Sequence, residues 1–282
     1  MAVRVRCITD PACVWSWAFE PVARAMMTEF GDDLEWTFVM GGLAREYGPD
    51  AQASMVHHWL DATAESDMPT DPLAWYESPL GTTYPASMAV KAAQEQGPDA
   101  ATRYLRALRE GILCRRRKLD TREALVEAAR FVGLDVERFR VDLGSHAIVE
   151  AFGADLEEAR DVPDVAREAG KVRCSRPAGE ERVAFPTLRF EGEDGEAHWT
   201  CGNRPHGYVR GKALAAGAKP TGEPRPTPLE AIGRFGRMAT VEVAAVCDLP
   251  RPRAEAELAR LALDWRIRPV PVLSGRLWEL AG

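Results

Sequence analysis

The chain has 282 residues, 46% hydrophobic and 28% charged, with a formal net charge of −7, enough to build one large core or a core and a satellite. No run reaches the roughly 20 apolar residues of a membrane span, and MAVRVRCITD lacks the apolar stretch of a secretory leader, so a cytoplasmic location is expected. The acidic balance argues against a general nucleic-acid surface, and the scattered Cys7, Cys13, Cys114, Cys174, Cys201 and Cys247 lack zinc-site spacing and disulfide-prone context.

Residues 3–9, VRVRCIT, alternate with β-branched side chains and predict a strand. Phe19, Val22, Met26 and Phe30 recur every three or four residues, predicting a helix from Trp15 to Phe30 that stops at Gly31. LEWTFVM, residues 34–40, predicts a second strand ending at Gly41 and Gly42. This strand, helix and strand suit a parallel pair with a right-handed crossover. From about 50 to 161 the pattern is helical. Tyr104, Leu108 and Ile112 mark one face, Asp120 with Glu123 predicts a capping box, and another helix covers Val136 to Leu143. Pro72, Pro79, Gly81 and Pro85 predict an irregular loop at 71–84. After the polar run KVRCSRPAGEER, VAFPTLRFE and EAHWTCG predict an antiparallel pair turning at Gly192 to Gly195. Pro186 stands at the strand start, where a missing N–H is tolerated.

Past Gly217 the composition changes to a proline-rich linker at 218–226. Thr227, Pro228 and Glu230 predict a capping box with proline at the first helical position. Helices follow near 229–235, 241–246 and 252–265, then a hairpin around Ser274-Gly275. Three helices and a hairpin suggest a small winged-helix-like domain over 227–282. Its eight arginines against seven acids are too balanced for phosphate neutralisation, which favours a docking or dimerisation module over a DNA-binding one.

Three motifs carry a resemblance. DPACVWSWAFEP, a Cys-x-x-Ser where the first helix begins, is similar to the CPWC-W motif of FrnE-type oxidoreductases. It is equally similar to the SPYSW stretch of kappa-class glutathione transferases and 2-hydroxychromene-2-carboxylate isomerases. SMAVKAAQEQGPDAATRYLRALREGIL is similar to the helical insertion of this group, and FPT at 185–187 to its cis-proline element. Residues 3 to 217 thus resemble the DsbA-like branch of the thioredoxin superfamily, which also holds cytoplasmic protease-adaptor proteins. The resemblance implies an α/β thioredoxin-like domain over 1–217 with a helical insertion at about 50–161. It implies Pro186 as the cis residue, presenting backbone to an extended substrate or thiol, with Phe185 and Thr187 beside it. It also implies that Cys201 returns toward Cys13 on the partner strand, with Arg204 on the same edge to orient an anionic thiol.

A thiol at a helix N-terminus faces free N–H groups and the positive end of the helix dipole, so Cys13 is expected to titrate below the usual value of about 8.5. Ser16, one turn on, can donate to the thiolate but cannot form a disulfide with it, so a mixed disulfide at Cys13 waits for another thiol. Trp15 is expected at the site mouth and Trp17 in the core. Gly41 and Gly42 allow either close approach of a ligand or simply a tight turn. His57 and His58, adjacent on a helix, point roughly 100° apart and cannot share an ion. No metal and no tightly bound cofactor are expected; a low-molecular-weight thiol, glutathione or an equivalent, is the expected co-substrate. The leading expectation is a thiol-dependent oxidoreductase or transferase acting on a protein or small-molecule disulfide, with Cys13 as nucleophile. The alternatives are a non-catalytic adaptor presenting a client protein to a protease, and a redox-sensing regulator.

Overall fold

The computed structural model describes residues 2–174 and 180–282. β1 (Val3–Thr9) leads through α1 (Val14–Ala18) and α2 (Glu20–Phe30) to β2 (Leu34–Met40). The two strands pair in parallel, with Val3 opposite Leu34 and Thr9 opposite Met40. The helix expected from 15 to 30 is interrupted at Phe19, because Pro21 opens α2 and lacks the N–H that would continue one helix through this point.

The helical stretch comprises α3 (Ala51–Ser66), α4 (Ala74–Glu77), α5 (Tyr84–Gln94), α6 (Pro98–Arg115), α7 (Arg122–Phe131), α8 (Val136–Leu143), α9 (His146–Arg160) and α10 (Asp164–Glu168). The loop expected at 71–84 contains the single turn α4. Thr121, not Asp120, caps α7, its side chain accepting from Ala124 N at 3.4 Å. The Asp120 carboxylate is drawn away to the Gly81 N–H, 2.9 Å distant. The polar run supplies an unexpected pair, β3 (Val172–Cys174) antiparallel to β4 (Glu181–Val183); the rest of that run lies outside the described residues.

β5 (Thr187–Glu191) and β6 (Ala197–Cys201) complete a sheet ordered β2-β1-β5-β6, with β5 antiparallel to both neighbours. α11 (His206–Ala215) follows. Trp17, Phe30, Tyr104, Phe139 and Phe190 are fully buried between sheet and helices. Each removes on the order of 150–250 Å² from water, which makes them the main anchors of the core.

α12 (Pro228–Phe235) is entered through the expected box, Thr227 Oγ1 accepting from Glu230 N and the Glu230 carboxylate accepting from Thr227 N. β7 (Met238–Ala239), α13 (Thr240–Val246), α14 (Arg251–Leu263), β8 (Ile267–Val272) and β9 (Gly275–Leu280) follow, the strands ordered β7-β9-β8. Ile232, Met238, Val243, Val246, Leu258 and Trp278 form an apolar cluster of their own. Ala239, Val272 and Leu277 join the main core instead.

Buried charge fastens this C-terminal unit to the rest. Glu242 is fully buried on α13 and accepts both terminal nitrogens of Arg106, at 2.9 and 3.0 Å, with Arg24 Nε at 3.2 Å. Arg106 also reaches Glu110 and Glu20, Arg109 pairs with Glu20, and Arg237 bridges Glu110 and Glu279. Four arginines therefore face four glutamates across α2, α6 and the C-terminal unit. At the far end, the β8–β9 turn is held by Ser274, whose N–H donates to Thr70 O at 3.2 Å and whose Oγ accepts from Thr70 N at 2.8 Å.

Candidate functional site: a buried cysteine facing a cis-proline

Cys13 is the N-cap of α1, with an extended backbone (φ −76°, ψ 109°) that turns the chain from β1 into the helix. Its N–H donates to Asp10 O at 3.2 Å, and its Sγ points at the carbonyl of Phe185, 4.0 Å away. The Phe185–Pro186 peptide is cis. Pro186 O accepts from Gly202 N at 2.8 Å, and Thr187 Oγ1 donates to Ala184 O at 2.7 Å, so the segment facing the thiol is fixed from both sides. Cys201 lies with Cys13 and Phe185 in one small apolar cluster, and all six cysteines are free thiols.

Ser16 is buried and hydrogen-bonds the thiolate form of Cys13 through both side chain and main chain. Its Oγ accepts from Thr9 Oγ1 at 2.8 Å, and Thr9 Oγ1 accepts from Arg109 Nη2 at 2.6 Å. A directed chain of donors therefore runs from the buried arginine cluster to the thiol.

That chain does not make Cys13 acidic, and here the expected low titration is overturned. Cys13 is 5% exposed, and burial pushes its thiol up from the ordinary value; the Ser16 hydrogen bonds and Arg182 offset this only in part, and Asp10 adds to the rise. A five-residue helix contributes a small dipole against that desolvation. Burial likewise pushes Cys7 up to about 12 and raises Cys201. Chemically, the arrangement is a buried thiol packed against a carbonyl, in surroundings that oppose its ionisation.

Two residues beside the thiol escaped the reading of the sequence. Asp10 is fully buried and accepts from Ala12 N, Leu43 N and Thr83 Oγ1 at 2.7–2.8 Å. Burial raises its carboxyl despite these bonds. The signal was available: an acid directly after an apolar strand and two residues before an alanine is placed to cap the turn that follows. Arg182 is 5% exposed, with Cζ 4.1 Å from the centroid of the Phe185 ring and no carboxylate partner among the described residues. Inside a polar run it carried no sign of burial.

The remaining expected residues serve the packing. A Cβ at Gly41 would stand 2.2 Å from Phe185 Cζ, so this glycine makes room for the aromatic ring rather than for a ligand. Gly42 has φ +62° and lies against Leu156 and Tyr84. Trp15 is half-buried between the main core and the Cys13 cluster, and Trp17 is fully buried. Arg204 Nε donates to Cys201 O at 3.1 Å and braces the end of β6. His57 and His58 are exposed on α3. Asp194, Glu196 and His198 gather their ligand atoms within 4.8 Å on the β5–β6 turn, a cluster the sequence reading did not single out. Among the described residues no helix is long and apolar enough to cross a membrane.

A mixed four-stranded sheet whose first helix is capped by a cysteine facing a cis-proline, with a helical segment between β2 and β5, defines a thioredoxin-like α/β protein of the DsbA-like type. The chain belongs to the family described as Thioredoxin (Thioredoxin_5), whose model matches residues 7–166. It is similar to the ClpXP adapter protein SpxH of Halalkalibacterium halodurans, 29% identical over 281 residues that cover 96% of this chain and 86% of that protein. SpxH of Bacillus subtilis is 25% identical with the same coverage. Among solved structures, a Nitrosomonas europaea protein described as a disulfide isomerase matches with TM-score 0.62 at 21% identity, covering 76% of this chain and 97% of its own. The cytosolic disulfide reductase DsbM of Pseudomonas aeruginosa matches with TM-score 0.54 at 18% identity, covering 76% and 94%. These two likenesses concern the fold.

Proposed function

We propose that the chain is a non-catalytic adapter that presents a client protein to a ClpXP-type protease in the cytoplasm. The observation that carries this reading is the reach of the likeness. Similarity to ClpXP adapter proteins runs through 96% of the chain, whereas the disulfide-exchange structures match 76% of it. The surroundings of Cys13 support the same conclusion: the thiolate is the nucleophile, burial opposes its formation here, and Ser16 cannot resolve a mixed disulfide. A thiol exchange with Cys13 as nucleophile, Pro186 as the backbone platform and a glutathione-like co-substrate is the lesser reading.

We read residues 227–282 as a winged-helix-like docking module after a linker at 218–226. The order helix, strand, helix, helix, hairpin supports it, and the near-balanced charge speaks against phosphate binding.

The test is reconstituted proteolysis. A client captured by the chain is purified and incubated with ClpXP, with and without the chain. The adapter reading expects degradation that depends on the chain and survives Cys13→Ala. Degradation that ignores the chain, together with a mixed disulfide lost in Cys13→Ala, would establish the thiol enzyme instead.

A further inference from the structure

A cavity of about 780 Å³ is lined by residues other than Cys13. It lies where α2, the α6–α7 pair and the start of the C-terminal unit meet, and Thr9, Ser16 and Pro186 of the Cys13 site belong to its wall. Its volume falls within the range of about 300–1,000 Å³ typical of small-molecule sites, which favour junctions between units. The apolar part of the lining includes Phe19, Met27, Trp36, Phe38 and Phe131. The buried Nε1–H of Trp36 and the buried Nε–H of Arg109, both on this wall, meet no acceptor among the described residues.

The charge of the lining is one-sided in a chain that is acidic as a whole. Eight arginines line the cavity against three glutamates. The charges of Arg24, Arg106, Arg109 and Arg237 are paired within the buried cluster. Arg103, Arg115 and Arg234 are exposed at the edge and have no carboxylate partner among the described residues; Arg234 reaches the Met27 carbonyl, at 3.5 Å, and lies over the Phe235 ring, 5.0 Å from its centroid. An apolar floor with unneutralised guanidinium groups at its edge complements a ligand with an apolar body and an anionic end.

We propose that this cleft binds an anionic amphiphile, a carboxylate or phosphate head group on an apolar tail, with the tail on the Phe19–Met27–Trp36–Phe38 wall and the head at the edge where Arg103, Arg115 and Arg234 together set a positive potential. A peptide suits the cleft less well: its backbone N–H groups would meet the apolar side chains of Phe19, Met27 and Phe38 and the donors of Trp36 and Arg109, whereas an alkyl tail carries no such groups. The site stands apart from the adapter reading and survives or fails independently of it.

The test is isothermal titration calorimetry on the full chain with dodecanoate and dodecyl phosphate, each below its micelle-forming concentration, and dodecylammonium as the opposite-charge control. The expected result is saturable one-to-one binding of at least one anion, weakening with salt and absent for dodecylammonium. Arg103→Glu with Arg115→Glu should weaken it at least tenfold; both side chains are exposed and neither has a carboxylate partner among the described residues, so circular dichroism should be unchanged. Preference between the two probes identifies the head group. Equal binding of dodecylammonium, no saturable binding of either anion, or an unaltered affinity in the double variant overturns the proposal. So does an acidic client peptide that occupies the cleft while both anions fail to bind.

Discussion

Replacing Glu242 with glutamine removes one carboxylate from a set in which Arg24, Arg106, Arg109 and Arg237 are balanced by Glu20, Glu110, Glu242 and Glu279. The variant keeps the volume but leaves a net buried positive charge. Two hydrogen bonds from Arg106 and the approach of Arg24 lose their anionic acceptor, with Glu242 fully shielded from water. Breaking one side of a buried ion pair costs about 3–5 kcal/mol. With a urea slope near 3 kcal/mol/M, at the upper end for small proteins, the midpoint should fall by about 1–1.7 M. Tryptophan fluorescence in urea follows it, because Trp17 stacks 4.1 Å from the Arg106 guanidinium. Glu137→Gln is the control: its pair with Arg140 is 82% and 45% exposed, and its loss should cost under about 1 kcal/mol. Arg106→Met together with Glu242→Leu restores the charge balance and should recover at least half of the loss. A Glu242→Gln cost no larger than that of Glu137→Gln, or a pair variant worse than the single one, would refute the claim that this cluster holds the C-terminal unit in place.

Three further outcomes follow from the same geometry. At pH 7.5 iodoacetamide should label exposed Cys174 at least about tenfold faster than Cys13, read peptide by peptide by mass spectrometry; the reverse order would mean an accessible thiolate. Gly41→Ala should destabilise the fold by about 1–3 kcal/mol through the clash with Phe185, and Phe185→Leu in the same chain should recover part of it in thermal melts. Burial opposes ionisation of Glu20, but Arg109, Arg106 and Arg24 outweigh it and hold the carboxyl down at about 2, from an ordinary 4.5. Its stabilisation is complete above about pH 4.5 and is lost as pH falls toward 2, so the wild type should lose melting temperature there faster than Glu20→Gln. Parallel curves for the two proteins would contradict this.

The elements with strong local periodicity were legible: β1, β2, α8 and the Thr227 box stand where the residue pattern puts them. The meeting of the Cys13 turn with the Phe185–Pro186 segment followed from motif order, since two short elements brought together by a familiar topology identify each other. What the pattern could not supply was environment. Helix position alone made Cys13 look acidic, yet its titration depends on how many atoms surround it, and the packing of Ile8, Val39 and Val183 around it is set by strands far apart in the chain. The buried ion cluster was invisible for a related reason. The pattern that marked Tyr104, Leu108 and Ile112 as one face of α6 does not mark Arg106, Arg109 and Glu110 as buried, and it is the approach of α2 and the C-terminal unit that encloses them. Asp120 was the expected cap, and its tertiary bond to Gly81 leaves the capping to Thr121.

The loop that carries Pro69 and Thr70 has a mechanical consequence. The Pro69 carbonyl accepts the Trp17 indole N–H at 2.9 Å and the Cys114 thiol at 3.3 Å, while its neighbour Thr70 holds the β8–β9 turn. One short loop thus splices the cysteine-bearing helix, α6 and the last hairpin, opposite the clamp formed by Glu242. A unit gripped at two separated points cannot swing about its tether, so the proline-rich stretch is a connector and not a hinge. A protease nick in the exposed 222–224 segment should then leave two fragments that still elute from a sizing column as a single particle.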